Sequence, residues 1–214
     1  MNERRKPPRG PLLTTVLLGA VWSLTLVTGV RSLFSYETSP GSVGKVQAHW
    51  PVASKISAPN ERPILVMVAH PRCPCTRASM DELAKIMART HGKVAAYVLF
   101  LTPSSLPPQW ADTDLRRDAE RIPGVTVLSD IDGAEAQKFG AETSGHTFLY
   151  DRDGSLLFNG GITASRGHAG DNVGESSLIS IVEKHKGPIA ATHVFGCSLV
   201  DRKQEEGARA ACNK

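Results

Sequence analysis

Cysteine is scarce in this chain, with four among 214 residues. At this length, and with 41% hydrophobic residues, the chain can bury one good-sized core and carry appendages. It is therefore not a small scaffold that disulfides must hold together. Internal repeats and low-complexity segments are absent, which excludes repeat architectures.

Excess positive charge is also scarce outside the N-terminus. The formal net charge is +4, of which the first eleven residues carry +3 and the rest of the chain +1. Such a distribution lacks the basic surface of a nucleic-acid-binding protein, so we expect no nucleic-acid partner.

Charge is absent altogether from residues 11–30, a length that crosses a bilayer core as a single helix. Only Arg31 follows this stretch closely, whereas four basic side chains precede it: Arg4, Arg5, Lys6 and Arg9. By the positive-inside rule the N-terminus stays in the cytoplasm and the rest of the chain is exported.

We therefore predict a basic cytoplasmic tail over residues 1–11 and a transmembrane signal-anchor over residues 12–30. The protein would be a single-pass protein of the cell membrane with its domain on the extracytoplasmic, periplasmic side. A cleaved signal peptide is the alternative, although residues 27–31 make a poor cleavage site.

Residues 31–61 contain scattered prolines and glycines without a sustained period, which predicts a linker. The domain is predicted over residues 62–187 and a C-terminal tail over residues 188–214. Two near-continuous apolar runs, at residues 64–69 and 94–101, are typical of parallel strands covered on both faces. An amphipathic helical pattern lies between them.

Cys73 and Cys75 lie at the junction of the first strand and this helix. Backbone N–H groups and the positive end of the helix dipole favour a thiolate there, and thiolates attack disulfides and bind soft metals. Two structural cysteines, free or bridged, are the alternative, but a Cys-Pro-Cys bridge closes a tight ring. A capping box of Ser79 and Glu82 places the helix start at Ser79, or else the helix extends back to Cys75.

The order strand, helix, strand, helix, strand, helix, hairpin, helix, with cysteines at the first junction, resembles the thioredoxin-like superfamily. The membrane-anchored, exported branch is the most similar, because residues 125–162 resemble its second half, including Asp130 and the hairpin turn at residues 151–154. The Cys-Pro-Cys motif with the glycine-rich residues 160–172 also resembles RedB-like proteins. This resemblance implies an α/β, three-layer fold with a central mixed sheet after one transmembrane helix.

The sequence also departs from that family. Arg72 replaces the tryptophan of the family motif, and one residue fewer separates the two cysteines. Gly145 and His146 occupy the place of the family's cis-proline, which provides a backbone edge for substrate peptides. Thiol exchange with general protein clients is less expected without that edge.

The resemblance implies a thiol–disulfide oxidoreductase without a cofactor, whose partners are protein thiol or disulfide clients. Cys73 would attack and Cys75 would resolve the mixed disulfide. A strained Cys-x-Cys disulfide is easily reduced, so its potential would be oxidising. Arg72 and Arg77 would stabilise the thiolate, unless they are simply solvated.

Two other functions are open. Cys73, Cys75 and His146 could hold Cu(I) as a copper chaperone, since sulfur and nitrogen donors suit that ion, and His70 could replace His146. A degenerate domain that only binds a partner is the third hypothesis.

The tail after the final predicted helix carries an apolar cluster around Cys197, which predicts that it folds back onto the domain. Cys197 would then be a small buried hydrophobe or a third thiol within reach of the first two. Cys212 has polar surroundings and should be dispensable. We assign no ligand to the glycine-rich residues 160–172.

Overall fold

The computed structural model describes residues 9–184 and 190–199, with only the backbone described for residues 9–12. The chain divides into two compact units, the first ending at Thr38 and the second beginning at Ser39. Cys212 lies outside the described residues.

The first unit is a single helix, α1 (Arg9–Thr38), which contains the whole predicted anchor. Its apolar side chains are exposed, Leu24 at 69% and Trp22 at 68%. By length and composition, Leu13–Thr38 could cross a membrane, and a signal sequence near the N-terminus would meet the same criteria.

The second unit is built on a five-stranded mixed sheet with the order β3-β2-β1-β4-β5. The first three strands are parallel, β4 is antiparallel to β1, and β5 is antiparallel to β4. The strands are β1 (Ile64–Ala69), β2 (Ala95–Thr102), β3 (Val125–Ile131), β4 (Thr147–Tyr150) and β5 (Leu156–Gly160).

Helices cover both faces of the sheet, which gives the predicted three layers. Side chains of α2, α3 and α5 share one core with one face, whereas α4 and the chain around Trp50 pack on the other. The helices are α2 (Pro74–Thr90), α3 (Asp114–Glu120), α4 (Ala134–Phe139) and α5 (Val173–Lys184), with a 3₁₀ turn at Pro108–Ala111. Leu83 and Ile86 of α2 are fully buried, and each such burial contributes roughly 1.5–3 kcal/mol.

Strand β1 positions the site, because it lies between β2 and β4 and all six of its residues are buried. Its carboxyl end leads through a short turn directly into α2, which begins at Pro74. The capping-box start at Ser79 is therefore wrong. Ser79 is buried inside the helix, and Glu82 instead accepts hydrogen bonds from Lys85 Nζ at 2.8 Å and from the backbone N–H of Gly170 at 2.7 Å.

Candidate functional site: three thiols at the start of a helix

Cys73 and Cys75 lie at the first turn of α2, where the sequence places them. Cys73 is the N-cap residue and Pro74 follows at the first helical position, where the missing N–H of proline costs nothing. The Cys73 backbone N–H donates to the carbonyl of His70 at 3.1 Å, which closes the turn between strand and helix. Both side chains are buried, at 3% and 6% exposure.

A third sulfur completes the site. Sγ of Cys197 lies 2.9 Å from Sγ of Cys73, and the sulfurs of Cys73, Cys75 and Cys197 all lie within 4.8 Å of one another. Within residues 9–184 and 190–199, no other group of three or more His, Cys, Asp or Glu side chains brings its ligand atoms so close. Of the two roles that the sequence leaves for Cys197, a small buried hydrophobe or a third thiol near the first two, the structure shows the second arrangement.

The three thiols differ in acidity. The pKa of Cys73 is lowered to about 4, chiefly by its hydrogen bond with Cys197 and also by bonds with Thr76, against the desolvation caused by burial. The pKa of Cys75 is raised, first by burial and then by the charge of Cys73. The pKa of Cys197 is raised by its hydrogen bond to Cys73 and by burial. Cys73 is therefore the thiolate, and its neighbours remain thiols.

Residues 190–199, called the docked segment below, bring Cys197 to the site. One end of the segment runs beside β5, where the N–H of Asn159 donates to the carbonyl of Ala190 at 3.0 Å. The other end runs antiparallel to the loop before β4, with the N–H of Leu199 donating to the carbonyl of Glu142 at 2.9 Å. Val194 and Leu199 are buried, so the predicted folding back of the tail is confirmed.

Ser144 joins this segment to the cysteine turn. Its N–H donates to the carbonyl of Cys197 at 2.8 Å, and its hydroxyl accepts from the N–H of His70 at 2.7 Å. The same hydroxyl lies 2.6 Å from the hydroxyl of Thr76. One buried serine thus fixes the relative position of the two chain segments that carry Cys73 and Cys197.

Gly196 permits the close approach of the docked segment. A Cβ at this position would clash with the carbonyl oxygen of Ser144, so only glycine fits without a shift of the backbone. The guanidinium of Arg166 donates to the carbonyl of Gly196, and its charge opposes part of the rise in the pKa values of Cys75 and Cys197. Arg166 belongs to the glycine-rich residues 160–172, to which the sequence assigned no ligand.

The two arginines that flank the motif are engaged elsewhere. Arg72 stacks over Trp110, with its guanidinium carbon 5.1 Å from the ring centroid, and Arg77 forms an ion pair with Asp114 at 2.6 Å. The groups that lower the pKa of Cys73 are Cys197 and Thr76. Hydrogen bonds from Cys197 and Thr76, and not the two arginines, therefore stabilise the Cys73 thiolate.

An open cleft of about 390 Å³ gives access to Cys73. Its walls come from the cysteine turn, the start of α2 and the start of α3, including Arg72, Pro74, Arg77 and Asp114. Cys73 is part of this wall, whereas no residue of the described segment 190–199 lines the cleft. A substrate can thus approach Cys73 from a side that the docked segment leaves open.

His146, the histidine predicted as a metal ligand in the copper hypothesis, lies in the core. Its side chain is fully buried with its ring 4.1 Å from that of Phe148, and burial lowers its pKa to about 4. Neither ring nitrogen has a hydrogen-bond partner among the described residues. The three-sulfur group includes neither His146 nor His70.

The loop that carries His146 contains no cis peptide bond, in common with the rest of the described chain. Gly145 takes a φ of +89°, and its N–H donates to the carbonyl of Val68 at 2.7 Å. A Cβ at Gly145 would lie 3.0 Å from the Ser79 hydroxyl. Glycine thus replaces proline in a loop that packs directly on β1 and α2.

Comparisons with known proteins find structures of similar fold but identify no family for this chain. No protein-family model matches the sequence, and the search of curated proteins returns no match. Among solved structures, a hypothetical protein from Sinorhizobium meliloti 1021 is 18% identical, with a TM-score of 0.53 and coverage of 76% of this chain and 96% of that one. An uncharacterised conserved protein from Geobacillus kaustophilus is 16% identical, with a TM-score of 0.53 and coverage of 76% and 92%.

Thioredoxin-like thiol–disulfide oxidoreductases are also among the structural neighbours. A secreted disulfide oxidoreductase of Mycobacterium tuberculosis is 14% identical, with a TM-score of 0.40 and coverage of 57% of this chain and 81% of that one. At that TM-score the likeness carries no argument about activity. The comparisons do not support the RedB-like label. With strand order β3-β2-β1-β4-β5 and cysteines where β1 meets α2, the fold of this chain is thioredoxin-like.

Proposed function

We propose that the protein is a thiol–disulfide oxidoreductase in which Cys73 is the nucleophile. The observation that carries this proposal is the lowered pKa of Cys73, about 4, in a residue at the start of a helix that belongs to the wall of an open cleft. At neutral pH such a group is a thiolate, the form that attacks a disulfide.

The reaction exchanges one disulfide for another. The Cys73 thiolate attacks one sulfur of a client disulfide, which forms a mixed disulfide with Cys73 and releases the other client sulfur as a thiolate. A second enzyme thiol then attacks Sγ of Cys73 and releases the client as a dithiol. The sequence assigns this step to Cys75, and Cys197 is also within reach. The protein is oxidised as the client is reduced, and the reverse reaction oxidises a client dithiol.

We propose further that α1 anchors the protein in the cell membrane with the domain on the extracytoplasmic side. The apolar stretch Leu13–Thr38 and the basic residues before it support this topology. A reporter that is active only in the cytoplasm, fused to the C-terminus, should give no signal. The same reporter fused to the N-terminus should give one, and a signal from the C-terminal fusion would overturn the topology.

Mass-resolved thiol labelling tests the proposed activity. The full-length protein in detergent is equilibrated with glutathione buffers of increasing oxidising strength, and its free thiols are then alkylated. We expect two states that differ by two labelled thiols and interconvert without metal. A protein that keeps Cys73 reduced in every buffer would refute the oxidoreductase and favour the partner-binding hypothesis.

A soft-metal carrier is the second candidate, and the three-sulfur group favours it. Three sulfur donors within 4.8 Å of one another suit Cu(I) no less than the set of Cys73, Cys75 and His146 in the copper hypothesis. If the site carries copper, stoichiometric Cu(I) should block the labelling of all three thiols. His146→Phe should leave that binding unchanged if Cys197 is the third ligand and weaken it if His146 is.

A further inference from the structure

We propose that Cys197, and not Cys75, is the thiol that resolves the mixed disulfide on Cys73. This inference rests on the proposed function, because it names the second thiol of the same reaction. The oxidised enzyme then carries a disulfide between residues 73 and 197, which links the docked segment covalently to the start of α2.

The first support is the position of the sulfurs. Sγ of Cys197 lies 2.9 Å from Sγ of Cys73, within about 1 Å of the roughly 2.05 Å of a disulfide bond, so a small side-chain movement brings the two sulfurs to bonding distance. A bridge between residues 73 and 75 would instead close a tight ring around Pro74 inside the first turn of α2. A bridge to residue 197 lacks this ring constraint, because it joins two separate segments of the chain.

The second support is the way in which Cys197 is held. The carbonyl of Cys197 accepts from the N–H of Ser144, and the carbonyl of Gly196 accepts from Arg166. The segment occupies the loop before β4 as an added strand would, with residues 143 and 198 as a bridge pair. The chain therefore presents its own thiol to Cys73 in the manner of a bound peptide.

The third support is access. Cys73 lines the open cleft beside α3, whereas the docked segment contributes nothing to that cleft. A client that reaches Cys73 from the cleft therefore meets no residue of the docked segment in the cleft wall. The docked segment does not have to leave before the client binds.

In the resolving step one S–S bond forms as another breaks. The Cys197 thiol gives up its proton as its sulfur attacks Sγ of Cys73, the bond between Cys73 and the client sulfur breaks, and the client leaves as a thiolate that takes up a proton. Cys73 and Cys197 are oxidised by two electrons in total, and the client disulfide gains them. The pKa of Cys75 is raised first by burial, which persists in the mixed disulfide, whereas that of Cys197 is raised first by its hydrogen bond to Cys73, which the mixed disulfide removes.

Peptide mapping distinguishes the two disulfides directly. Trypsin releases Cys73 and Cys75 together in residues 73–77, Cys197 in residues 187–202 and Cys212 in residues 210–214. The full-length protein in detergent is equilibrated with glutathione buffers, alkylated, digested without reduction and analysed by mass spectrometry. A 73–197 disulfide joins two peptides, whereas a 73–75 disulfide stays within one.

We expect the joined peptide to be the main disulfide species of the wild-type protein. Cys75→Ser should keep it, and Cys197→Ser should accumulate about tenfold more glutathione on Cys73, because the resolving thiol is missing. An internal disulfide within residues 73–77, with Cys197 alkylated in every buffer, would overturn the inference and leave the proposed function intact. Absence of any disulfide at Cys73 would overturn both.

Cys197→Ala serves as a second variant, which removes the sulfur without adding a hydroxyl. Both Cys197 variants should melt within a few degrees of the wild-type protein, measured by circular dichroism under reducing conditions. If Cys197→Ala folds and still resolves the mixed disulfide at the wild-type rate, Cys197 has a packing role only and the inference fails.

Discussion

Cys73 has two thiol neighbours that reach it in different ways. Cys75 follows it by two positions, and the junction of β1 and α2 sets its place. Cys197 follows it by 124 positions and is brought back by backbone hydrogen bonds of the docked segment. The comparison teaches that a motif read along the chain locates two of the three sulfurs, whereas the third is brought beside them by long-range packing.

The largest expected effect comes from the residue that both neighbours share. Cys73→Ser should reduce disulfide exchange to the uncatalysed background, since either pairing needs its thiolate. Reduction of a small disulfide-containing peptide measures this loss. Cys212→Ser is the matched control and should keep full activity, and a Cys73→Ser protein with more than background turnover would contradict the account.

Loosening the docked segment, which carries Cys197, should have the next largest effect. Gly196→Val places a side chain against the carbonyl of Ser144, so we expect a loss of roughly 2–3 kcal/mol in the free energy of unfolding. The disulfide should then shift from residues 73–197 to residues 73–75. Urea unfolding and peptide mapping measure the two changes.

Ala191→Val is the control for that variant, because it adds bulk at an exposed position of the same segment. It should change the free energy of unfolding by less than about 0.5 kcal/mol. Equal destabilisation by both variants would show that the close approach of Gly196 does not hold the segment.

His146 tests whether its loop contributes a side chain to the site or only a backbone. Its pKa in the folded protein, about 4, lies below the ordinary 6.5, so the unfolded chain binds more protons between these values. Stability should therefore fall as pH drops from 6.5, by on the order of 3 kcal/mol at pH 4. His146→Phe should remove this component of acid sensitivity and leave disulfide exchange unchanged.

Urea unfolding of both proteins across this pH range measures the difference. Because carboxylates titrate in the same range, the comparison of the variant with the wild type carries the test rather than either curve alone. A loss of disulfide exchange in a folded His146→Phe protein would place the ring in the site.

The smallest expected effect is that of the serine that joins the two segments. Ser144→Ala removes a hydroxyl that accepts from the N–H of His70 and pairs with Thr76, but it keeps the backbone bond to Cys197. We expect a loss of about 1–2 kcal/mol in the free energy of unfolding and a modest shift of the disulfide toward Cys75. A stable variant with an unchanged disulfide ratio would remove Ser144 from the explanation.

Much of the fold could be predicted from the sequence because it depends on local patterns. Two apolar runs predict β1 and β2, and the amphipathic period between them predicts α2. The turn at residues 151–154 likewise predicts the hairpin of β4 and β5. Ser79 and Glu82 fit a capping box in the sequence but do not start α2, because the helix begins at Pro74 and tertiary packing buries both side chains.

The site was only partly predictable for the same physical reason. Cys73 and Cys75 stand out as a local motif, whereas the contribution of Arg166 depends on where a glycine-rich connector folds. Ser144 has no local signature at all, because its hydroxyl bonds to groups more than sixty residues away. The apolar residues around Cys197 were the one sequence signal that the tail returns to the domain.

The thiolate state of Cys73 is the central claim, and its pH titration tests that claim most directly. The thiolate absorbance of the reduced wild-type protein, with that of Cys73→Ser subtracted, should appear with a midpoint near pH 4. Cys197→Ala should raise the midpoint, because the principal hydrogen bond to the thiolate is lost. A wild-type midpoint near the ordinary value of 9.0, unmoved by Cys197→Ala, would contradict the account.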